Sequence, residues 1–150
     1  MAIRKFRNLV CALIVIATFG CGGAYIAKAG NTYLNVTVSN ITGVSSPDPY
    51  SLVEAKDDSD RYFYITLYTL TNSSEIYFTA FRTPSGSTTH NLSTDTQVSQ
   101  KKTIRTEDLG NTKTKAYYSQ SVAIANRYYY VYSTSPLYTY NVNAVGHYCP

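Results

Sequence analysis

The sequence predicts an all-β protein: one β-sandwich-like domain of about 7–9 antiparallel strands, behind an N-terminal signal peptide. Three observations carry the prediction. Apolar and polar residues alternate with a period of two in stretch after stretch. The alternating residues are largely β-branched or aromatic, with 16 Tyr and no Trp in 150 residues. Clusters of Asp, Asn, Ser, Gly and Pro punctuate the stretches at short intervals.

The leader comes first. Met1 to Asn8 carries Arg4, Lys5 and Arg7 and no acid, and Leu9 to Phe19 is an uncharged apolar run. Ala27-Lys28-Ala29 then places small residues where a signal peptidase reads them, so residues 1–29 read as a signal peptide and residues 30–150 as the domain. The expected location is secreted, extracellular. Two rival readings compete. Cys21 follows Thr18-Phe19-Gly20 in the manner of a lipoprotein box, with a bulky Phe where a small residue is wanted. Leu9 to Ala27 also has about the length of one membrane span, so an uncleaved leader would anchor the protein, although Gly20, Gly22 and Gly23 weaken that helix. The mature form is expected to have no stable membrane span.

In the domain, Thr32 to Val38 sets Leu34, Val36 and Val38 against Tyr33, Asn35 and Thr37. Tyr50 to Ala55 precedes the turn residues Asp57-Asp58-Ser59-Asp60. Arg61 to Leu70 then sets Phe63, Ile65 and Leu67 against Tyr62, Tyr64, Thr66 and Tyr68. After Thr71-Asn72-Ser73-Ser74, Glu75 to Arg82 alternates Ile76, Phe78 and Ala80 with Tyr77, Thr79 and Phe81. Pro84-Ser85-Gly86-Ser87 closes that strand. His90 to Lys102 is polar and reads as a loop or an irregular strand. Lys101 to Thr106 reads as a strand, Asp108 to Asn111 as a turn, and Ala116 to Asn126 as a strand, favoured over a helix by Val122, Ile124 and the flanking Tyr. Arg127 to Thr134 and Leu137 to Val145 are expected to pair as a hairpin across Thr134-Ser135-Pro136.

Charge and chemistry exclude several classes. The formal charge of +4 belongs to the leader, because from Gly30 onward nine Lys and Arg face nine Asp and Glu. No basic face remains for nucleic acid. His90 and His147 are the only histidines, and no Ser lies in a G-x-S-x-G elbow, so no catalytic residue is assigned. His147 and Cys149 share a strand face but fall short of a tetrahedral ligand set. The Asp57–Asp60 cluster lacks the Gly and Glu of a calcium loop and reads as a polar turn. No cofactor or metal is expected. Asn35, Asn40, Asn72 and Asn91 head N-x-S/T sequons.

Two features remain as candidates. Tyr128, Tyr130 and Tyr132 on one strand, with Tyr138 and Tyr140 on the next, form the densest aromatic cluster and the candidate contact surface. The competing reading is a cross-strand ladder that stabilises the sheet. Removing the leader removes Cys11 and Cys21 and leaves Cys149 as a candidate intermolecular thiol for a homodimer.

The ending Tyr138-Thr139-Tyr140-Asn141-Val142-Asn143-Ala144-Val145-Gly146-His147-Tyr148-Cys149-Pro150, with the leader and the Tyr- and Ser-rich strands, resembles small secreted β proteins of Gram-positive bacteria. Some of these are similar to lactococcin-972-type bacteriocins. Cys149 departs from that pattern. The resemblance implies a secreted bacterial β protein and carries over no functional residue.

The expected function is therefore non-enzymatic. It is a secreted protein acting by surface contact, in a bacteriocin-like, envelope or assembly role, on a protein or cell-envelope partner. A carbohydrate-binding module is the alternative, and a small secreted hydrolase the second alternative.

Overall fold

A computed structural model describes residues 31–39, 48–136 and 141–150. The leader, Asn40 and the expected contact residues Tyr138 and Tyr140 lie outside the described residues. Those described form nine strands: β1 (Thr32–Val38), β2 (Glu54–Ala55), β3 (Tyr62–Thr71), β4 (Glu75–Arg82), β5 (Thr96–Gln97), β6 (Lys102–Arg105), β7 (Thr112–Ala116), β8 (Tyr128–Thr134) and β9 (Val142–Cys149). All pairings are antiparallel. Sheet A has the order β1-β9-β3-β7. Sheet B has β2-β8-β4, with β5 and β6 both on the far side of β4.

The period-two pattern explains the two layers. Leu34, Val36, Val38, Phe63, Ile65, Leu67, Val142, Ala144 and Tyr148 point inward from sheet A. Ile76, Phe78, Ala80, Ile104, Tyr129 and Val131 meet them from sheet B. Tyrosine supplies much of the volume. The ring of Tyr117 lies 5.4 Å from that of Phe63 and 5.3 Å from that of Tyr129. The Tyr129 hydroxyl donates to Val122 O at 2.5 Å and accepts from Ile124 N–H at 2.9 Å, so its polar end is satisfied inside the core.

Both edges of the sandwich are laced shut. On one side residues 48–56 cross between the sheets. Asp48 exchanges two backbone hydrogen bonds with Thr37 of β1, and Ser51 N–H donates to Val131 O of β8. On the other side Val98 N–H donates to Ala80 O of β4, while Tyr118, just past β7, donates to Val98 O. Where each lacing segment leaves a strand N–H short of a partner, a buried serine hydroxyl accepts it: Ser51 Oγ from Val131 and Ser99 Oγ from Ala80.

Three expectations are corrected here. β8 pairs with β2 and β4, and β9 with β1 and β3, so the last two strands do not form a hairpin but lie in different sheets. The last described strand is Val142–Cys149, so it runs on past the expected end at Val145, while Leu137 to Tyr140 of that expectation lie outside the described residues. Ala116 ends β7, and the rest of the expected strand to Asn126 is not one: after the Ser99–Tyr117 bridge it turns through a 3₁₀ segment at Gln120–Val122.

One irregularity shapes sheet A. Between Leu67 and Thr69 the register of β3 against β9 slips by one residue, leaving Tyr68 as a bulge. Opposite it, the two backbones approach so closely that a Cβ on Gly146 would lie 2.0 Å from Thr66 O. Only glycine fits there.

Candidate functional site: an uncharged tyrosine–threonine face

The inward half of each sheet A strand builds the core, and the outward half builds a surface. Cross-strand register places Tyr33, Asn35 and Thr37 of β1 beside His147, Val145 and Asn143 of β9. On the other flank of β9 stand Tyr64, Thr66, Thr69 and Thr71 of β3, followed by Thr112 and Thr114 of β7. Tyr62 and the bulged Tyr68 complete the face. Among the described residues, no strand position on this face is Asp, Glu, Lys or Arg.

The tyrosines here are open to solvent: Tyr33 is 55 % exposed, Tyr68 53 % and Tyr62 48 %. At its centre the His147 imidazole stands edge-on between Tyr33 at 6.3 Å and Tyr68 at 5.4 Å. The bulge brings Tyr68 there. His147 Nδ1 is buried and has no hydrogen-bond partner among the described residues. Beside this trio Thr66 and Thr112 share a hydroxyl–hydroxyl bond of 2.9 Å. At the β1 edge the face runs into a groove of about 240 Å³ lined by Tyr33, Asn35, Asp48, Tyr50 and Leu52.

Such a surface has a definite chemistry. Tyr, Thr and Asn offer apolar area and hydrogen bonds together, at low cost in side-chain entropy. The centres of protein interfaces are depleted in charge and enriched in Tyr in the same way. An open sheet face presents area to a macromolecule rather than a cleft to a small substrate.

The tyrosines singled out from the sequence are placed differently. Tyr128, Tyr130 and Tyr132 do share one face, the outer face of sheet B, but residues 83–97 fold over it. Tyr130 is fully buried, stacked on Phe81 at 5.6 Å, with its hydroxyl donating to Asp95 Oδ2 at 2.8 Å. Tyr50 and His90 close over it, stacked on each other at 4.0 Å. Desolvation, then the Asp95 carboxylate, pushes the Tyr130 hydroxyl above its ordinary range. Tyr128 and Tyr132 are half-buried.

Among the described residues Cys149 is a free cysteine, and it is the last residue of β9, an inner strand of sheet A, rather than past the end of a strand. It is half-buried opposite Tyr64. Burial pushes its thiol up, against a smaller opposing pull from Lys56. His90 and His147 lie on opposite outer faces of the sandwich, so the fold does not bring them together. Among the described residues no group of three or more His, Cys, Asp or Glu is placed to hold a metal, and no helix is long and apolar enough to cross a membrane. The Asp57–Asp60 cluster is a turn, in which Asp58 accepts from Asp60 N–H at 3.0 Å and from Lys56 Nζ at 2.7 Å.

The face on sheet A was visible in the sequence as the polar half of each alternating strand. The missing signal was coverage: nothing in the sequence says that residues 83–97 cover sheet B and leave sheet A open. Comparison of the chain with protein families, curated proteins and solved structures finds no match to any of them.

Proposed function

We propose that this is a secreted protein that acts without catalysis, by contact between the outer face of sheet A and a protein on a cell envelope. The observation that carries the reading is the uncharged, solvent-open array of Tyr33, Tyr62, Tyr64 and Tyr68 around His147. Exposed aromatic area of this kind needs a reason in a soluble domain, and interface formation supplies one. The positively charged, apolar leader supports export.

A carbohydrate-binding module is the second reading. The tyrosine rings standing beside the Thr66 and Thr112 hydroxyls favour it, because stacking and hydroxyl hydrogen bonding together suit a sugar chain.

The test is binding of the full chain to producing-cell envelopes, to protease-treated envelopes and to purified wall polysaccharide. The comparison variant is Tyr33→Ser/Tyr64→Ser/Tyr68→Ser. Each tyrosine at the centre of an interface contributes about 2 kcal/mol, so the variant should lose envelope binding by well over tenfold. Loss on protease treatment supports a protein partner, and retained binding on polysaccharide supports the glycan. Unchanged binding by the triple variant overturns the assignment of the face.

A further inference from the structure

A second site lies away from the tyrosine face, where β3, β7 and the lacing segment around Val98 meet. Here Arg61, Gln100, Lys115, Ala116, Tyr117 and Tyr118 line a groove of about 210 Å³. Its walls are zipped together by backbone. Tyr117 N–H donates to Arg61 O at 2.9 Å, Tyr118 N–H to Val98 O at 2.8 Å, and Ser99 bridges Tyr117.

Two cations face this groove without an acid. The ion pairs among the described residues join Lys56 to Asp58, Arg105 to Glu75 and Glu107, and Lys113 to Asp108. Arg61 and Lys115 take part in none of them. Asp60, next to Arg61 in the chain, makes no ion pair with it. The contrast with Lys113, two residues before Lys115 on the same strand, is direct: one lysine is neutralised and the other is not.

Arg61 is also held in place. Its Nε–H donates to Tyr117 O at 3.1 Å and its Nη2 to Tyr118 O at 2.7 Å. Guanidinium carries five N–H groups, so donors remain for a ligand on a cation whose orientation is already fixed. The exposed Tyr118 lines the same groove, its hydroxyl accepting from Gln97 Nε2 at 3.1 Å. The Gln100 amide adds a donor and an acceptor at the rim.

We propose that this groove binds the oxyanion of an acidic saccharide, a carboxylate or a phosphate borne on a sugar ring. Arg61 and Lys115 hold the charge, Tyr118 stacks on the ring, and Gln100 reaches its hydroxyls. A planar fork beside a point cation suits a carboxylate or phosphate. The groove is smaller than the usual site for a drug-sized ligand, which fits one sugar and its acid group. The proposal does not rest on the tyrosine face.

The experiment is an amide and side-chain NMR titration of the full chain with galacturonate, glucose 6-phosphate, inorganic phosphate and neutral galactose. Both acidic sugars should shift Arg61 Nε–H, Gln100 and Tyr118, and should bind about tenfold or more tighter than galactose. Lys115→Gln should weaken both acidic sugars by about tenfold. It leaves the Arg61 anchor intact, so it remains informative if Arg61→Gln disturbs the fold. Tyr118→Ala should weaken the sugars and spare inorganic phosphate. The tyrosine-face triple variant should bind as the unmodified chain does, which separates this site from the proposed contact surface. Equal binding of galactose, or shifts that Lys115→Gln leaves unchanged, overturns the proposal. Inorganic phosphate binding as well as the sugars, with no effect of Tyr118→Ala, overturns the saccharide assignment.

Discussion

Gly146→Ala tests the architecture at its tightest point. Gly146 sits on β9, between β1 and β3, opposite Leu34 and Leu67. An added methyl would lie 2.0 Å from Thr66 O, 2.8 Å from Leu67 Cα and 2.9 Å from Thr66 C. A carbon and a carbonyl oxygen normally stay about 3.3 Å apart, so the overlap exceeds 1 Å. All three atoms are backbone, in a strand held between β9 and β7, and cannot rotate away. Overpacking that side chains can absorb costs about 1–3 kcal/mol. Here β3 itself must move, and the cost should reach ~3–4 kcal/mol, a large part of a typical total of about 5–15 kcal/mol. Urea unfolding followed by circular dichroism should show that loss, with Tm lower by roughly 10 °C. Gly86→Ala and Gly110→Ala are the controls. Their φ angles are +80° and +77° with nothing within 4 Å, so only the left-handed backbone penalty of about 1–2 kcal/mol applies. If Gly146→Ala proves no more costly than these, the Tyr68 bulge and the β3–β9 register are wrong.

Three further outcomes are expected. Tyr130→Ala should cost ~3–5 kcal/mol by chemical denaturation, whereas Tyr64→Ala on the open face should cost about 1 kcal/mol or less; equal costs would mean that residues 83–97 do not cover sheet B. Lys56→Met should cost about 1–3 kcal/mol, because the buried Nζ ties Asp58 at 2.7 Å to Pro150 O at 3.2 Å; a neutral result in urea unfolding would show that this cation holds nothing together. Burial raises the hydroxyls of Tyr117, Tyr130 and Tyr148 in the fold, while in the unfolded chain they ionise near about 10. Their contribution is therefore complete below that pH and is lost above it, with a slope of roughly 4 kcal/mol per pH unit for the three together. Phenolate absorbance should rise in two steps, exposed tyrosines first and buried ones on unfolding, and a single step with the fold intact would contradict the burial.

Much of the sandwich was legible because a strand with one buried face must alternate. Leu34, Val36 and Val38 in β1, Phe63, Ile65 and Leu67 in β3, and Ile76, Phe78 and Ala80 in β4 all point inward as expected. Edge strands were harder. β7 reads Thr-Lys-Thr-Lys-Ala and has no large apolar residue, because an edge strand has little core to cover. The last strand was ended too early because Gly146 breaks the aliphatic pattern, although its inward residues continue to Tyr148. The hairpin failed for a different reason. Turn residues mark where the chain bends, not which sheet receives it. The candidate surface was misjudged at Tyr130 for a similar reason: period two separates the faces of β8, and only tertiary packing decides that Tyr130 is covered.

The central claim is that sheet A presents the working surface. Footprinting of surface tyrosines, on the full chain free and bound to producing-cell envelopes, tests it most directly. Free protein should be modified at Tyr33, Tyr62, Tyr64, Tyr68 and Tyr118, and not at Tyr117, Tyr129, Tyr130 or Tyr148. Bound protein should lose modification at Tyr33, Tyr64 and Tyr68. Binding that leaves those three as reactive as in the free protein would contradict the account.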